Sequence, residues 1–203
     1  MIPNRVKYMR THRTSVASGI LVALALTACS PMSSSIPSPQ WTAPVATSAG
    51  ATLDDGQIAE IAEAVDVQQT QTARLAASRA SDPDVRAFAG DLLADHQREQ
   101  REERHLLGQG RTELQPSDLT ERFESAARDS RAWLSNESGS TFDRDFLASE
   151  IKEQTRQLDW FDHVLLPGVH DSGLRAELLH RRSIGALLLD SAKRLFIRFP
   201  APP

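Results

Sequence analysis

The sequence predicts an all-α domain of four long helices and one short helix. Three observations carry this. From Thr52 onward apolar residues recur three and four positions apart, the spacing of one helix face. No segment alternates apolar and polar residues with the period of a strand over a useful length. Helix start and stop signals then divide the run: Ser81-Asp82-Pro83, Ser117, Ser140, Pro167-Gly168 and Ser172. About 145 residues in these segments suffice to bury a single core.

The first helix runs from Thr52, with Asp55 three residues on as a capping box, to about Ala80. Ile58, Ile61, Val65, Thr72 and Ala76 fall on one of its faces. Asp82 is the expected N-cap of the second helix, because Pro83 suits a first helical position. Val85, Phe88, Ala89, Leu92, Leu93, Leu106 and Leu107 form its apolar face, and Gly108 ends it. A loop from Gly110 to Pro116 leads to a third, weaker helix that starts at Ser117 and carries Phe123, Ala127, Trp133 and Leu134. After "SNESGS", Ser140 with Asp143 is expected to cap the fourth helix, with Phe142, Phe146, Leu147, Ile151, Leu158, Phe161 and Leu165 on its apolar side. Pro167-Gly168 stops it. Ser172 opens the fifth, with Leu174, Leu178, Leu188, Leu189, Ala192 and Leu195. The helical domain is thus expected over residues 52–197, with a Pro-rich tail over 198–203.

The chain ahead of this domain is of another kind. Arg5, Lys7, Arg10 and Arg13 precede Val16–Ala28, a mostly apolar stretch too short for the roughly 20 residues of a spanning helix. A basic start, a short apolar stretch and small residues at its end are the layout of a secretory signal. Leu26-Thr27-Ala28-Cys29 resembles the bacterial lipobox, so residues 1–28 are expected to be removed and Cys29 to be lipidated on its thiol. Ser30, where an aspartate would favour the inner membrane, points to the outer membrane facing the periplasm. Residues 29–51, rich in Ser, Pro and Ala and without charge, read as a flexible tether.

Removing residues 1–28 takes away four of the 23 basic residues and none of the 27 acidic ones, which moves the formal charge from −4 to −8. So acidic a chain is not expected to bind nucleic acid, where Lys and Arg must neutralise phosphates. With Cys29 lipidated no cysteine remains for an intrachain disulfide, so stability rests on packing. The expected partner is the membrane, through the lipid, together with an undetermined protein or small ligand.

"ASRASDPDVRAFAGDLLADHQ" (77–97), "STFDRDFLASEI" (140–151) and "LLPGVHDSGLRAEL" (165–178) resemble the bacterial lipoprotein and envelope family called domain of unknown function 4142. The resemblance covers residues 53–194, and its most specific piece is the S-D-P-x-V-x-x-F-A…D-H run. It implies a ferritin-like up-and-down helical bundle, usually exported, and no established reaction. The family pattern often places polar residues inside the bundle: an acidic turn on the first helix and histidines on the second, fourth and fifth. Here His96 matches, whereas Gln69 and Gln71, Gln154 and Leu188 stand at the other positions.

Ferritin-like di-iron sites use Glu-x-x-His pairs, and two occur here, Glu102–His105 and Glu177–His180. At about 100° per residue both imidazoles fall on the far side of their helix from the apolar face, toward solvent. A different set points inward. His96, Glu99 and Glu103 share the apolar face of the second helix, Glu150 and Gln154 that of the fourth, and Gln69 that of the first. Buried carboxylates must be paired, hydrogen-bonded or ligated. The preferred reading is a layer that reaches water or is paired by Arg74, Arg98 or Arg156. The alternative is a divalent metal held by His96, Glu103 and Glu150. No cofactor is otherwise expected. There is no G-x-S-x-G elbow, no phosphate-binding glycine loop and no free cysteine nucleophile, so no catalytic residues are assigned and an enzyme is the weakest reading. The leading one is an envelope lipoprotein with a binding or structural helical domain. A metal-binding ferritin-like protein with a stress-protective role is second.

Overall fold

The computed structural model describes residues 53–108 and 113–199, with backbone alone for 106–108. The signal segment, Cys29, the tether up to Thr52, the side chains of Leu106 and Leu107, and Pro200, Pro202 and Pro203 lie outside the described residues. The described chain is all-helical: α1 Asp55–Arg79, α2 Pro83–Gly108, α3 Asp118–Leu134, α4 Gly139–Trp160, a π-helical turn Phe161–Leu165, α5 Leu166–Gly168 and α6 Ser172–Phe196. α1 packs mainly on α2, α4 on α6, and α3 along α1, while α2 also meets α6. The π turn falls just before Pro167, which lacks an N–H and crowds the preceding turn. Among the described residues no helix is long and apolar enough to cross a membrane.

Two helix starts differ from the expected pattern. α1 is capped by Asp54, whose carboxylate accepts from Gln57 N (2.8 Å) while the Gln57 side chain accepts from Asp54 N (3.2 Å). Asp55 instead accepts from His170 N (2.7 Å) and Asp171 N (2.8 Å), and so ties the start of α1 to that of α6. α4 begins at Gly139, in the left-handed region with φ 59°, and no side chain caps it. Its Asp143 turns to the α1–α2 connection, accepting from Ser81 N (2.9 Å), Asp82 N (2.8 Å) and the Ser81 hydroxyl. Asp82 does cap α2, accepting from Asp84 N (2.8 Å) and Val85 N (3.1 Å). The first residues of the expected tail close on the bundle: Arg198 donates to Asp84 (2.6 Å) and Asp82 (3.1 Å), and Phe199 packs on the core.

The core has two apolar parts. One joins Ile58, Ile61 and Val65 of α1 to Phe123, Trp160, Phe161, Leu165 and Leu178. The other joins Ala73 and Ala76 of α1 to Val85, Phe88, Leu92, Phe142, Phe146 and Leu188. Phe146 centres this second part, 6.1 Å from the Phe88 ring and 6.3 Å from that of Phe142. Between the two parts, each of α1, α2, α4 and α6 interrupts its apolar face with polar residues. Those residues form the site described next.

Candidate functional site

The interruption on α1 is Asp66 and Gln69, on α2 His96, Glu99 and Glu103, on α4 Glu150 and Gln154, and on α6 Arg181. All are buried: Glu103, Glu150 and Gln154 are 1 % exposed, Gln69, His96 and Glu99 4 %, and Arg181 5 %. Spacing explains the convergence. Residues 62, 66, 69 and 73 run along one face of α1, and 174, 178, 181, 185, 188 and 192 along one face of α6. Gly185 lets Gln154 come close: a Cβ there would lie 3.2 Å from Gln154 Oε1.

Arg181 organises the layer. Its Nη1 lies 2.7 Å from Asp66 Oδ2, its Nη2 donates to Glu103 Oε2 (3.2 Å) and the Glu99 carbonyl (3.3 Å), and its Nε donates to Glu177 Oε1 (3.1 Å). His96 is the second cation. Its Nδ1 lies 3.0 Å from Asp66 Oδ1 and 3.0 Å from Glu99 Oε2. Burial opposes the imidazolium, but these two carboxylates outweigh it and push the His96 pKa up to about 10. Burial raises Asp66 to about 6, against the pull of Arg181 and His96. Burial also raises Glu103 to about 9, against Arg181 and with the help of Glu63 and Asp66. It raises Glu150 to about 8, with the help of Glu153 and against His96. Glu99 moves down: burial raises it, and its bond to His96 and the attraction of both cations prevail. At neutral pH the layer therefore holds two cations among ionised Asp66 and Glu99 and protonated Glu103 and Glu150.

Arg181 was missed in the sequence, and so was Asp66. The signal for both was helical phase: Asp66 lies three residues before Gln69, and Arg181 three after Leu178. Of the arginines named as counter-ions, Arg74 is exposed, Arg98 pairs with Asp95 (3.0 Å), and Arg156 pairs with Glu153 while lying over Phe123 and Trp160. None of these contacts is with the layer. Glu102, His105 and His180 are exposed, so the two Glu-x-x-His spacings do not converge and do not fit a di-iron centre. Glu177 holds Arg181 instead.

Of the metal candidates His96, Glu103 and Glu150, Glu103 serves Arg181. The donor atoms of Asp66, His96 and Glu99 are the ones that come together, all within 4.8 Å of one another. Beside them lies a cavity of about 20 Å³, bordered by Gln154 and Arg181, with room for about one water molecule. His96 Nε2 has no hydrogen-bond partner among the described residues, whereas the Glu150 carboxyl interacts with Gln69 and Gln154, and Glu103 with Glu63.

The model of one protein family, described as Domain of unknown function (DUF4142), matches residues 40–194. No curated protein and no solved structure matches the chain.

Proposed function

The chain belongs to the domain of unknown function 4142 family, and from that premise we propose that it is a lipid-anchored bacterial envelope protein whose helical domain is a binding or structural module rather than an enzyme. One observation carries the module reading: Asp66, Glu99 and Glu103 of the buried layer are met by the chain's own cations, Arg181 and His96. An arginine with carboxylate partners on two other helices ties those helices together and leaves no ionised nucleophile or base open to a substrate. The anchor rests on Leu26–Cys29 after a basic, short apolar start. By the same sequence rule Ser30 favours the outer membrane, with the domain in the periplasm.

Fractionation of a bacterial host tests the anchor. The wild-type protein should sediment with membranes and its N-terminal peptide should carry acyl mass, whereas Cys29→Ala should be released or remain an uncleaved precursor. An unmodified Cys29 in the mature protein would sink the idea.

A second reading, a metal-binding ferritin-like protein that protects against metal or oxidative stress, is favoured by the proximity of Asp66, His96 and Glu99 and by the unpartnered His96 Nε2. His96 would have to lose its proton to ligate, so affinity should rise with pH. Element analysis of protein purified without chelator or nickel column separates the readings. Stoichiometric metal, with a melting temperature raised by zinc or manganese in the wild type but not in His96→Gln, would replace the module reading with this one.

A further inference from the structure

An open groove of about 610 Å³ runs along the outside of the bundle between α2 and α6. Phe88 and Leu188 are its buried floor. Its α2 wall is low, because Ala87 and Ala94 stand there, both exposed. Its α6 wall is high and apolar: Leu187 is 65 % exposed. A leucine that exposed, beside a groove with an apolar floor, is surface that association would cover.

The two walls complement each other. α2 and α6 run in opposite directions, since Arg181 meets Glu103 while Arg198 meets Asp84. Leu187 and Ala94 therefore lie at about the same height, and Arg194 lies near the height of Asp91. On the α2 wall Asp84 and Asp95 are paired, with Arg198 and Arg98, whereas Asp91 has no ion pair among the described residues. On the α6 wall Arg194 is exposed and held only within its own helix, by Asp190 and Ser191. One wall thus offers a protruding leucine and a cation, the other a recess and an acid. Unlike walls on one face fit a second copy turned by a two-fold axis. An axis parallel to the helices sets α6 of each copy on α2 of the other, whereas an axis across them sets α6 on α6. The parallel axis also keeps both Leu53 residues at one end, because the start of α1 is tied to that of α6. Two chains anchored in one membrane need that, and this choice of axis rests on the anchor reading.

We propose that the α2–α6 face is the interface of a symmetric dimer of this chain. Leu187 of each copy enters the groove of the other over Ala94, and Arg194 of each meets Asp91 of the other. The module reading names no partner, and this face supplies one, a second copy.

Disulfide trapping of the full chain in a bacterial envelope tests the proposal, because that compartment oxidises thiols held within reach of each other. Chains carrying Ala94→Cys and chains carrying Leu187→Cys, coexpressed under different tags, should form mixed covalent dimers, with the linked peptides identified by mass spectrometry. Leu187→Cys coexpressed with Ser125→Cys, on α3, should not. All three positions are exposed, so the substitutions leave the core untouched. Asp91→Arg in both chains should lower the mixed-dimer yield about two- to fivefold, the worth of an exposed ion pair. Arg194→Asp added to it should restore the yield. Absence of mixed dimers, or an equal yield with Ser125→Cys, would overturn the proposal. So would a preference of Leu187→Cys for itself, which sets α6 on α6, or for another protein. An unlipidated Cys29 would appear in the same peptide map and would refute the anchor, not the interface.

Discussion

Arg181 is the residue on which the buried layer turns. Its guanidinium makes contacts with Asp66, Glu99, Glu103 and Glu177 in a space where each unpaired carboxylate would be costly. Removing one member of such a network leaves the others charged and uncompensated. Arg181→Met should therefore cost about 3–5 kcal/mol by urea denaturation. Arg181→Lys should recover little, because one ammonium does not reproduce the fork. A loss below about 0.5 kcal/mol in Arg181→Met would mean that water, not Arg181, balances the acids. His96 sets the pH response. Its pKa of about 10 lies above the unfolded value of about 6.5, so its contribution is complete below 6.5 and lost as pH rises through 10. Glu150 and Glu103, raised to about 8 and 9, act in the same direction, holding protons in the folded state that the unfolded chain gives up near pH 4. Stability should accordingly fall from about pH 5 to pH 9, and His96→Gln should flatten the fall above neutrality. NMR titration reads the cause directly. A His96 pKa below that of the unfolded chain would show that desolvation prevails over Asp66 and Glu99.

At the scale of the elements, two acids that a local reading places in their own helix caps serve other helices. Asp55 holds the chain entering α6, and Asp143 holds the turn between α1 and α2. Asp143 is wholly buried and accepts three hydrogen bonds. Asp143→Ala should cost about 2 kcal/mol and speed amide exchange at Ser81 and Asp82, with Asp143→Asn intermediate. α2 offers the opposite case. A Cβ at Gly90 would meet nothing within 4 Å. A mid-helix glycine without a contact to explain it is a simple loss of helix propensity, so Gly90→Ala should raise stability by about 0.5–1 kcal/mol, measurable as a higher melting temperature. The same substitution at Gly56 should not help, because a Cβ there would lie 2.4 Å from the Glu113 carbonyl oxygen.

The described domain has two apolar core parts with a charged layer between them, spanned by α1, α4 and α6. Such an arrangement relies on packing for stability and on the layer for register, since the paired charges of α1, α2 and α6 meet at one level. The described domain should fold cooperatively without metal. Leu92, fully buried in the second core, should cost about 2–5 kcal/mol when replaced by alanine. Loss of cooperativity in Leu92→Ala, with only one core melting, would show that the two parts fold separately.

The sequence by itself determined the helices, most of their bounds, and the inward set Gln69, His96, Glu99, Glu103, Glu150 and Gln154, because a period of 3.6 residues fixes which side chains share a face. It determined equally that His105 and His180 point away from the bundle. Tertiary structure decided what those inward groups meet. Phase alone does not say which two faces touch or at what level, so Arg181 could not be matched to Asp66, 115 positions away in the chain, until α6 was set against α1 and α2. The caps follow the same logic. Asp55 and Asp143 are each one short side chain with two possible sets of amides, and the winning set is the one that only the folded chain brings within reach.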